Sequence, residues 1–398
     1  RDAQESRGLG DVYKRQIINR LNQERLMYFQ AENLNSALVL LCKELMDKGI
    51  DVTRRGFECR EFPGAVLIEI TNPTDRYVRV PERKWNKTLG WIESLWLARG
   101  DNSLEMPASY VKNLVNFSDD GKFMRAGYGP RIRRYGDNFD SMVTLSGKLL
   151  PRQYKNGKAD ENGRYSKLKA PGLHQNVTDQ LRFVIEKFKQ DIDTREAVIT
   201  IHDPISDNFN QNEEDGEKAP LLLTKDTPCT RSIHFMIVNG KMNCYVDIRS
   251  NDLIWGFSAV NVFNFTLMQE YVAAIVGVPV GKYYHKADNL HVYKDFIPLA
   301  EEIAKRDPNS YPSGVNFSYK TTFKTLEEFD ALIAQLSQFE ENCRNSENRT
   351  EQDFELLRAD IEKFEDEMFS DWAKVIFRYW TKQLVEFRNP LLNELFIG

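Results

Sequence analysis

Apolar positions recur at helical spacing early in the chain. Leu38, Leu41 and Leu45 share one face of residues 26–48, and Gly49 after Lys48 is a natural stop. Residues 65–70 read as a strand closed by Asn72-Pro73, after a polar turn at 53–61. Residues 88–98 form a nearly all-apolar helix that contains one carboxylate, Glu93. A tight, exposed bend at 126–130 carries Tyr128. Residues 141–177 are polar and aperiodic, as expected of a surface insertion, and 206–218 form an acidic, Asn-rich loop. A helix at 179–190 leads to a strand at 197–201. Asn239-Gly240 between the β-like runs 233–238 and 242–248 is a strong hairpin signal. An apolar helix follows at 264–276, and charged amphipathic helices occupy 326–336 and 354–387. Trp372, Phe377, Trp380 and Leu384 make an apolar stripe on the last of these, suited to packing or a dimer surface. Irregular interleaving with hairpins predicts an α+β fold with a mixed sheet.

Composition narrows the classes. The 398 residues are 41% apolar and 28% charged, ordinary for a globular chain, with a net charge of −5. That charge argues against a general nucleic-acid or membrane binder, and no apolar run in the sequence looks long enough to span a bilayer. Five cysteines lack metal-type spacing, so no metal is expected and a reduced, cytoplasmic chain is the simple reading. Residues 1–16 show neither period and are expected to be a non-native leader.

The candidate chemistry lies in residues 224–293. Pro228-Cys229 precedes the hairpin, Arg249-Ser250-Asn251-Asp252 follows it, and His291-Val292-Tyr293 comes later. A thiol with a reference pKa of about 8.5 is a poor nucleophile at pH 7 unless a cation stabilises the thiolate. Arg249 is placed to do so. A lone cysteine is more often a small buried hydrophobe, but this company favours a nucleophile.

These motifs resemble the thymidylate synthase superfamily, which includes the pyrimidine nucleotide hydroxymethylases. The resemblance covers Arg55 to Tyr293 in order. It includes Glu93-Ser94-Leu95-Trp96 with Gly100-Asp101, Tyr128-Gly129 and Asp193-Thr194-Arg195. It implies that Cys229 adds to C6 of a pyrimidine nucleoside monophosphate and that the activated C5 takes a one-carbon unit from 5,10-methylenetetrahydrofolate. Arg55, Arg249 and Ser250 would bind the phosphate, and Arg195 would reach the phosphate of the partner subunit in a homodimer. The competing role for Arg195 is a solvated strand-edge charge. Glu93 would organise water and protons near the base, Tyr128 would help remove the C5 proton, and Asp252 would act at the base. His291 and Tyr293 would bind the sugar hydroxyl. The catalytic domain would run over 17–320 and a helical extension over 321–398.

Departures from the family pattern bear on the product. Thr230 follows the cysteine where methylating members have His, Ile248 replaces a Gln, no Trp occurs near 114–117, and the C-terminus is extended. A looser folate lid admits water, so hydroxymethylation is preferred over methylation. The alternatives are a true thymidylate synthase and a catalytically silent nucleotide binder. Asn261 is the nearest base reader, one residue later than the family spacing. An Asn favours dUMP, the shifted spacing leaves dUMP and dCMP both open, and Asn261 also suits a cap on the following helix.

Overall fold

The computed structural model describes residues 27–135, 142–143, 149–150, 178–208, 221, 224–313, 317–346 and 350–397. The expected leader, most of the expected insertion and most of the acidic loop lie outside the described residues.

The first element is strand β1 (Met27–Ala31), not the start of a helix, because its exposure alternates with period two. The side chain of Asn33 then accepts from the N–H groups of Asn35 and Ser36, and helix α1 (Leu34–Lys48) begins there. The segment expected as a polar turn is a hairpin, β2 (Ile50–Arg54) and β3 (Phe57–Glu61). Its tip, Arg55-Gly56, has both φ angles positive, the conformation that two-residue hairpins need. Strand β4 (Val66–Ile70), helix α2 (Leu89–Ala98), helix α3 (Glu105–Tyr110), helix α4 (Tyr128–Arg133), helix α5 (Gln180–Gln190) and strand β5 (Val198–Thr200) follow.

The second half opens with β6 (Thr230–Val238) and β7 (Lys241–Ile248), turned at Asn239-Gly240 with both φ angles positive. A two-residue strand, β8 (Asn251–Asp252), enters a π-helix (Leu253–Asn261) that continues as α6 (Val262–Val276). Strands β9 (Val280–Ala287) and β10 (Leu290–Tyr293), helix α7 (Ile297–Ala304) and helices α8 (Leu326–Asn345), α9 (Glu351–Ile361), α10 (Glu367–Thr381) and α11 (Pro390–Ile397) complete the chain.

The main sheet has six strands in the order β1-β4-β9-β7-β6-β5, mixing parallel and antiparallel pairs. A second sheet runs β8-β10-β3-β2. The α+β expectation therefore holds. One face of the main sheet is sealed by apolar residues of α1 and α6. The other carries Tyr28, Glu69, Tyr245, Lys282 and Tyr284, with Tyr245 and Tyr284 stacked at 4.7 Å.

The 24-residue helical run Leu253–Val276 is long and apolar enough to cross a bilayer, contrary to the reading of the sequence. Most of it is buried inside the fold, where its apolar positions pack on sheet and helices. The segment 354–387 is two helices rather than one. Asp366 caps the second by accepting from Phe369 N–H, and Leu384 lies beyond its end, exposed. Trp372 and Phe377 are fully buried. Trp372 Nε1 donates to Trp91 O at 2.9 Å, and the rings lie 5.5 Å apart, so α10 packs directly on α2. One apolar core runs from Ala31 to Leu395.

Candidate active site

Cys229 sits immediately before β6, where the hairpin register brings it beside the residue after β7. Arg249 N–H donates to Cys229 O at 2.9 Å. Its guanidinium donates from Nε to Pro228 O at 2.9 Å and from Nη2 to Thr227 O at 3.1 Å. Arg249 thus clamps the loop that presents the thiol. Burial holds the Cys229 thiol above its ordinary value, Arg249 pulls it down, Asp226 pushes it up and Arg55 pulls it down. Arg55 is exposed at the β2–β3 tip, and its charge is the smallest of these influences on the thiol. Ser250 lies half-buried next to Arg249.

Tyr128 is the first residue of α4. The bend around it is buried rather than exposed, because Gly129 packs against main-chain atoms of Trp96 and Asp101 where a Cβ would collide. That contact fixes α4 on the end of α2. The Tyr128 hydroxyl accepts from Thr230 N–H at 3.1 Å, so the phenol stands beside Cys229. Burial, then the Cys229 charge, push its pKa up to about 12, so it keeps its proton at neutral pH.

Glu93 projects from the middle of α2. Its Oε2 accepts from Asn264 Nδ2 at 3.1 Å, and Asn264 Oδ1 accepts from Ser94 Oγ at 2.9 Å. Burial pushes the carboxyl up to about 7, with the Asn264 bond opposing. Phe265, next to Asn264, stacks on Tyr128 with ring centres 6.4 Å apart. A continuous set of contacts therefore joins Glu93 through α6 and Tyr128 to the Cys229 loop.

Asp252 caps the π-helix, its Oδ1 accepting from the N–H groups of Ile254 and Trp255. Burial pushes its carboxyl up to about 6. Asn261 makes no side-chain cap bond, since the helix runs straight through it. Its Oδ1 instead accepts from Asn251 Nδ2 at 2.8 Å. The proposed sugar ligands sit on β10. His291 Nδ1 lies 2.7 Å from Asn289 Oδ1, and Asn289 Nδ2 donates to Glu61 Oε2 at 2.6 Å. Burial lowers the His291 pKa, so the ring is neutral, Nδ1 carries the proton and Nε2 is left as an acceptor. Tyr293 is 37% exposed and packs edge-on against His291 and Phe57.

Arg195 stands apart. It is exposed between α5 and β5, and among the described residues nothing joins it to Cys229, Arg249 or Arg55. Several site residues went unrecognised in the sequence. Asn264 was legible as a lone amide one turn after Asn261 in an apolar run. Asp226, whose carboxyl burial pushes up to about 6, Asn289 and Glu61 carry no local signal.

The deoxyuridylate hydroxymethyltransferase of Bacillus phage SP01 is 36% identical over 291 residues, 73% of this chain and 63% of that protein. The chain thus spans less than two thirds of that relative's length. The deoxyuridylate hydroxymethyltransferase of Pseudomonas phage M6 is 26% identical over 311 residues, 76% of this chain and 74% of its own. A putative thymidylate synthase of Methanocaldococcus jannaschii is 33% identical over 117 residues, 29% of this chain and 48% of its own. The thymidylate synthase family model matches residues 39–346, over three quarters of the chain and the whole of the site just described, and the chain belongs to the thymidylate synthase family.

Proposed function

We propose that this chain hydroxymethylates C5 of dUMP with 5,10-methylenetetrahydrofolate as one-carbon donor. The observation that carries the reading is the convergence on Cys229 of Arg249, the Tyr128 phenol and, through Asn264 and Phe265, the Glu93 carboxyl. A pure nucleotide binder has no use for a thiol so placed. The names of the two phage relatives favour the hydroxymethyl product and the uracil base.

The roles follow from the chemistry of each group. Arg55, Arg249 and Ser250 bind the phosphate, the guanidinium groups by charge-assisted bonds. His291 Nε2 accepts the sugar hydroxyl proton, with Tyr293 beside it. Cys229 bonds to C6, and phosphate held by Arg249 shares that residue with the Pro228-Cys229 loop. Tyr128, protonated at neutral pH, holds through its hydroxyl the water that takes the C5 proton. Glu93, near half-protonated at pH 7, moves protons at the base oxygen and orders the water that becomes the new hydroxyl. Asn261 reads the base edge, and Asp252 fixes the helix start that carries it.

The folate, when bound, supplies a one-carbon unit at the oxidation level of formaldehyde. Two exposed aromatic side chains support a place for a flat pterin. Phe117 and Trp255 are 60% and 54% exposed, and Asp119, two residues after Phe117, accepts from Thr224 and Lys225 of the Cys229 loop. Phe117 occupies the stretch where the family's Trp is missing and would take its place.

The polar, aromatic face of the main sheet, uncovered by any helix among the described residues, supports a homodimer, with Arg195 of each chain reaching the phosphate of the other. Mass spectrometry of products from dUMP, dCMP and CMP with the folate tests the whole reading. A hydroxymethyl gain on dUMP, lost in Cys229→Ala, is expected. Tight nucleotide binding with no product on any of the three would refute it.

A further inference from the structure

Four side chains connect the base reader to the protein interior. Tyr283 Oη lies 2.9 Å from His285 Nδ1, His285 Nε2 lies 2.9 Å from Asn251 Oδ1, and Asn251 Nδ2 lies 2.8 Å from Asn261 Oδ1. Tyr283 and His285 are fully buried on the inner face of β9, Asn251 is buried and Asn261 is half-exposed. Gly256 makes room for the last contact, since a Cβ there would strike both Asn251 Nδ2 and Asn261 Oδ1. Among the described residues no acceptor takes Asn261 Nδ2.

Such a row has two self-consistent polarities. In the first, Tyr283 O–H donates to Nδ1, Nε2–H donates to Asn251 Oδ1, and Asn251 Nδ2 donates to Asn261 Oδ1. Asn261 then offers its NH₂ to the cleft, with the second lone pair of Oδ1 beside it. In the second, every bond reverses and Asn261 offers a carbonyl oxygen in place of the NH₂. Uracil presents a C4 carbonyl and an N3–H, which the first polarity matches. Cytosine presents a C4 amino group and a bare N3, which only the second matches.

The buried end breaks the tie. In the first polarity the phenolic proton of Tyr283 has its acceptor. In the second, Nδ1–H points at the phenol oxygen, and the phenolic proton has no partner among the described residues. A buried donor left without an acceptor weights such an equilibrium by about tenfold or more. Protonating the ring would erase the distinction, but burial pushes the His285 pKa down to about 3, so it stays neutral.

We infer that Tyr283, acting through His285 and Asn251, fixes the orientation of the Asn261 amide and thereby makes the site select uracil over cytosine. This rests on the nucleotide reading above. These are positioning residues: none but Asn261 touches the base.

The test is equilibrium binding of dUMP and of dCMP by calorimetry, without folate, so that turnover plays no part. The wild-type chain binds dUMP more tightly. Tyr283→Phe leaves Nδ1 unsatisfied in either polarity, so the dUMP-to-dCMP ratio narrows by about tenfold while dUMP still binds. Asn251→Asp places an acceptor-only group between two donors. It takes Nε2–H and Asn261 Nδ2–H together, which turns Asn261 round and inverts the preference to dCMP. Thermal melts check that both variants fold, and Tyr283→Phe, a near-isosteric change, decides alone if Asn251→Asp does not. An unchanged ratio in folded Tyr283→Phe overturns the inference and leaves the dUMP reading standing. A wild-type preference for dCMP overturns the assigned polarity. Failure of the wild type to bind either nucleotide removes the nucleotide reading, and this inference with it.

Discussion

Asn264→Ala isolates the electrostatics of the Glu93 carboxyl. The Asn264 amide donates to Glu93 Oε2 at 3.1 Å and is, among the described residues, the one contact that opposes the upward push of burial on its pKa, which stands at about 7. A hydrogen bond to a charged group contributes about 1.5–3 kcal/mol, and one pKa unit is about 1.4 kcal/mol. Losing the bond therefore raises the carboxyl by about one to two units, towards 8 or 9, less whatever an incoming water restores. The assay is exchange of the C5 hydrogen of dUMP for deuterium, followed by NMR across pH 5.5–9.5 without folate. The wild-type profile should break near pH 7, and the variant's break should lie about one unit or more higher. Glu93→Gln should lack that break altogether. A break that stays in place or moves down in Asn264→Ala would refute the assignment of Glu93 as the titrating group.

Three further outcomes are expected. Glu93 holds its proton more tightly folded than unfolded, so the stabilisation this provides is complete below about pH 4.5 and lost as pH rises through about 7. Thermal melts should show Glu93→Gln gaining on the wild type at pH 8 but not at pH 4.5, and equal gains at both would exclude this linkage. Trp372→Ala removes a fully buried indole and its bond to Trp91 O, and chemical denaturation should show a loss of about 3–5 kcal/mol; an unchanged midpoint would mean that the C-terminal helices fold apart from α2. Arg249→Gln takes away the guanidinium that pulls the Cys229 thiol down, so alkylation of Cys229 by iodoacetamide at pH 7.5 should slow several-fold, while a faster reaction would show that the loop clamp matters more than the charge.

Periodic segments were legible in the sequence for physical reasons. Helix α2 was evident because a nearly all-apolar run can only be buried, and its single carboxylate had to be in a site, paired or at an edge. The β6–β7 hairpin was evident because Asn239-Gly240 accepts two positive φ angles. Other features differ from the sequence reading for equally physical reasons. Strand β1 is too short for its alternation to outweigh the helix after it. Strand β2 is largely exposed on both faces and β3 buries only Cys59 and Glu61, so no apolar alternation marks the hairpin. The long segment 354–387 breaks at Asp366, whose cap is decided by a carboxylate that looks like any other in an acidic helix. The site divides in the same way. Cys229, Arg249, Tyr128 and Glu93 were identifiable by residue type and order. Asp226, Asn289 and Glu61 act through contacts between distant segments, which no local pattern encodes.

Asn261 shows how a sequence anomaly can have a structural answer. By the family spacing it comes one residue late, which left its role open. The segment before it, Leu253–Asn261, is π-helical. A π turn closes its hydrogen bonds over one more residue than an α turn, so it absorbs an insertion without shifting the helix on either side. Asp252 anchors the start of this segment and α6 continues from its end in register with α2, where Asn264 meets Glu93. The extra residue is thus taken up between two fixed points. Asn261 arrives on the face that meets Asn251, and Gly256 leaves space for that meeting inside the same widened turn. The late spacing and the wide turn are one feature, and together they keep an amide at the position proposed to read the base.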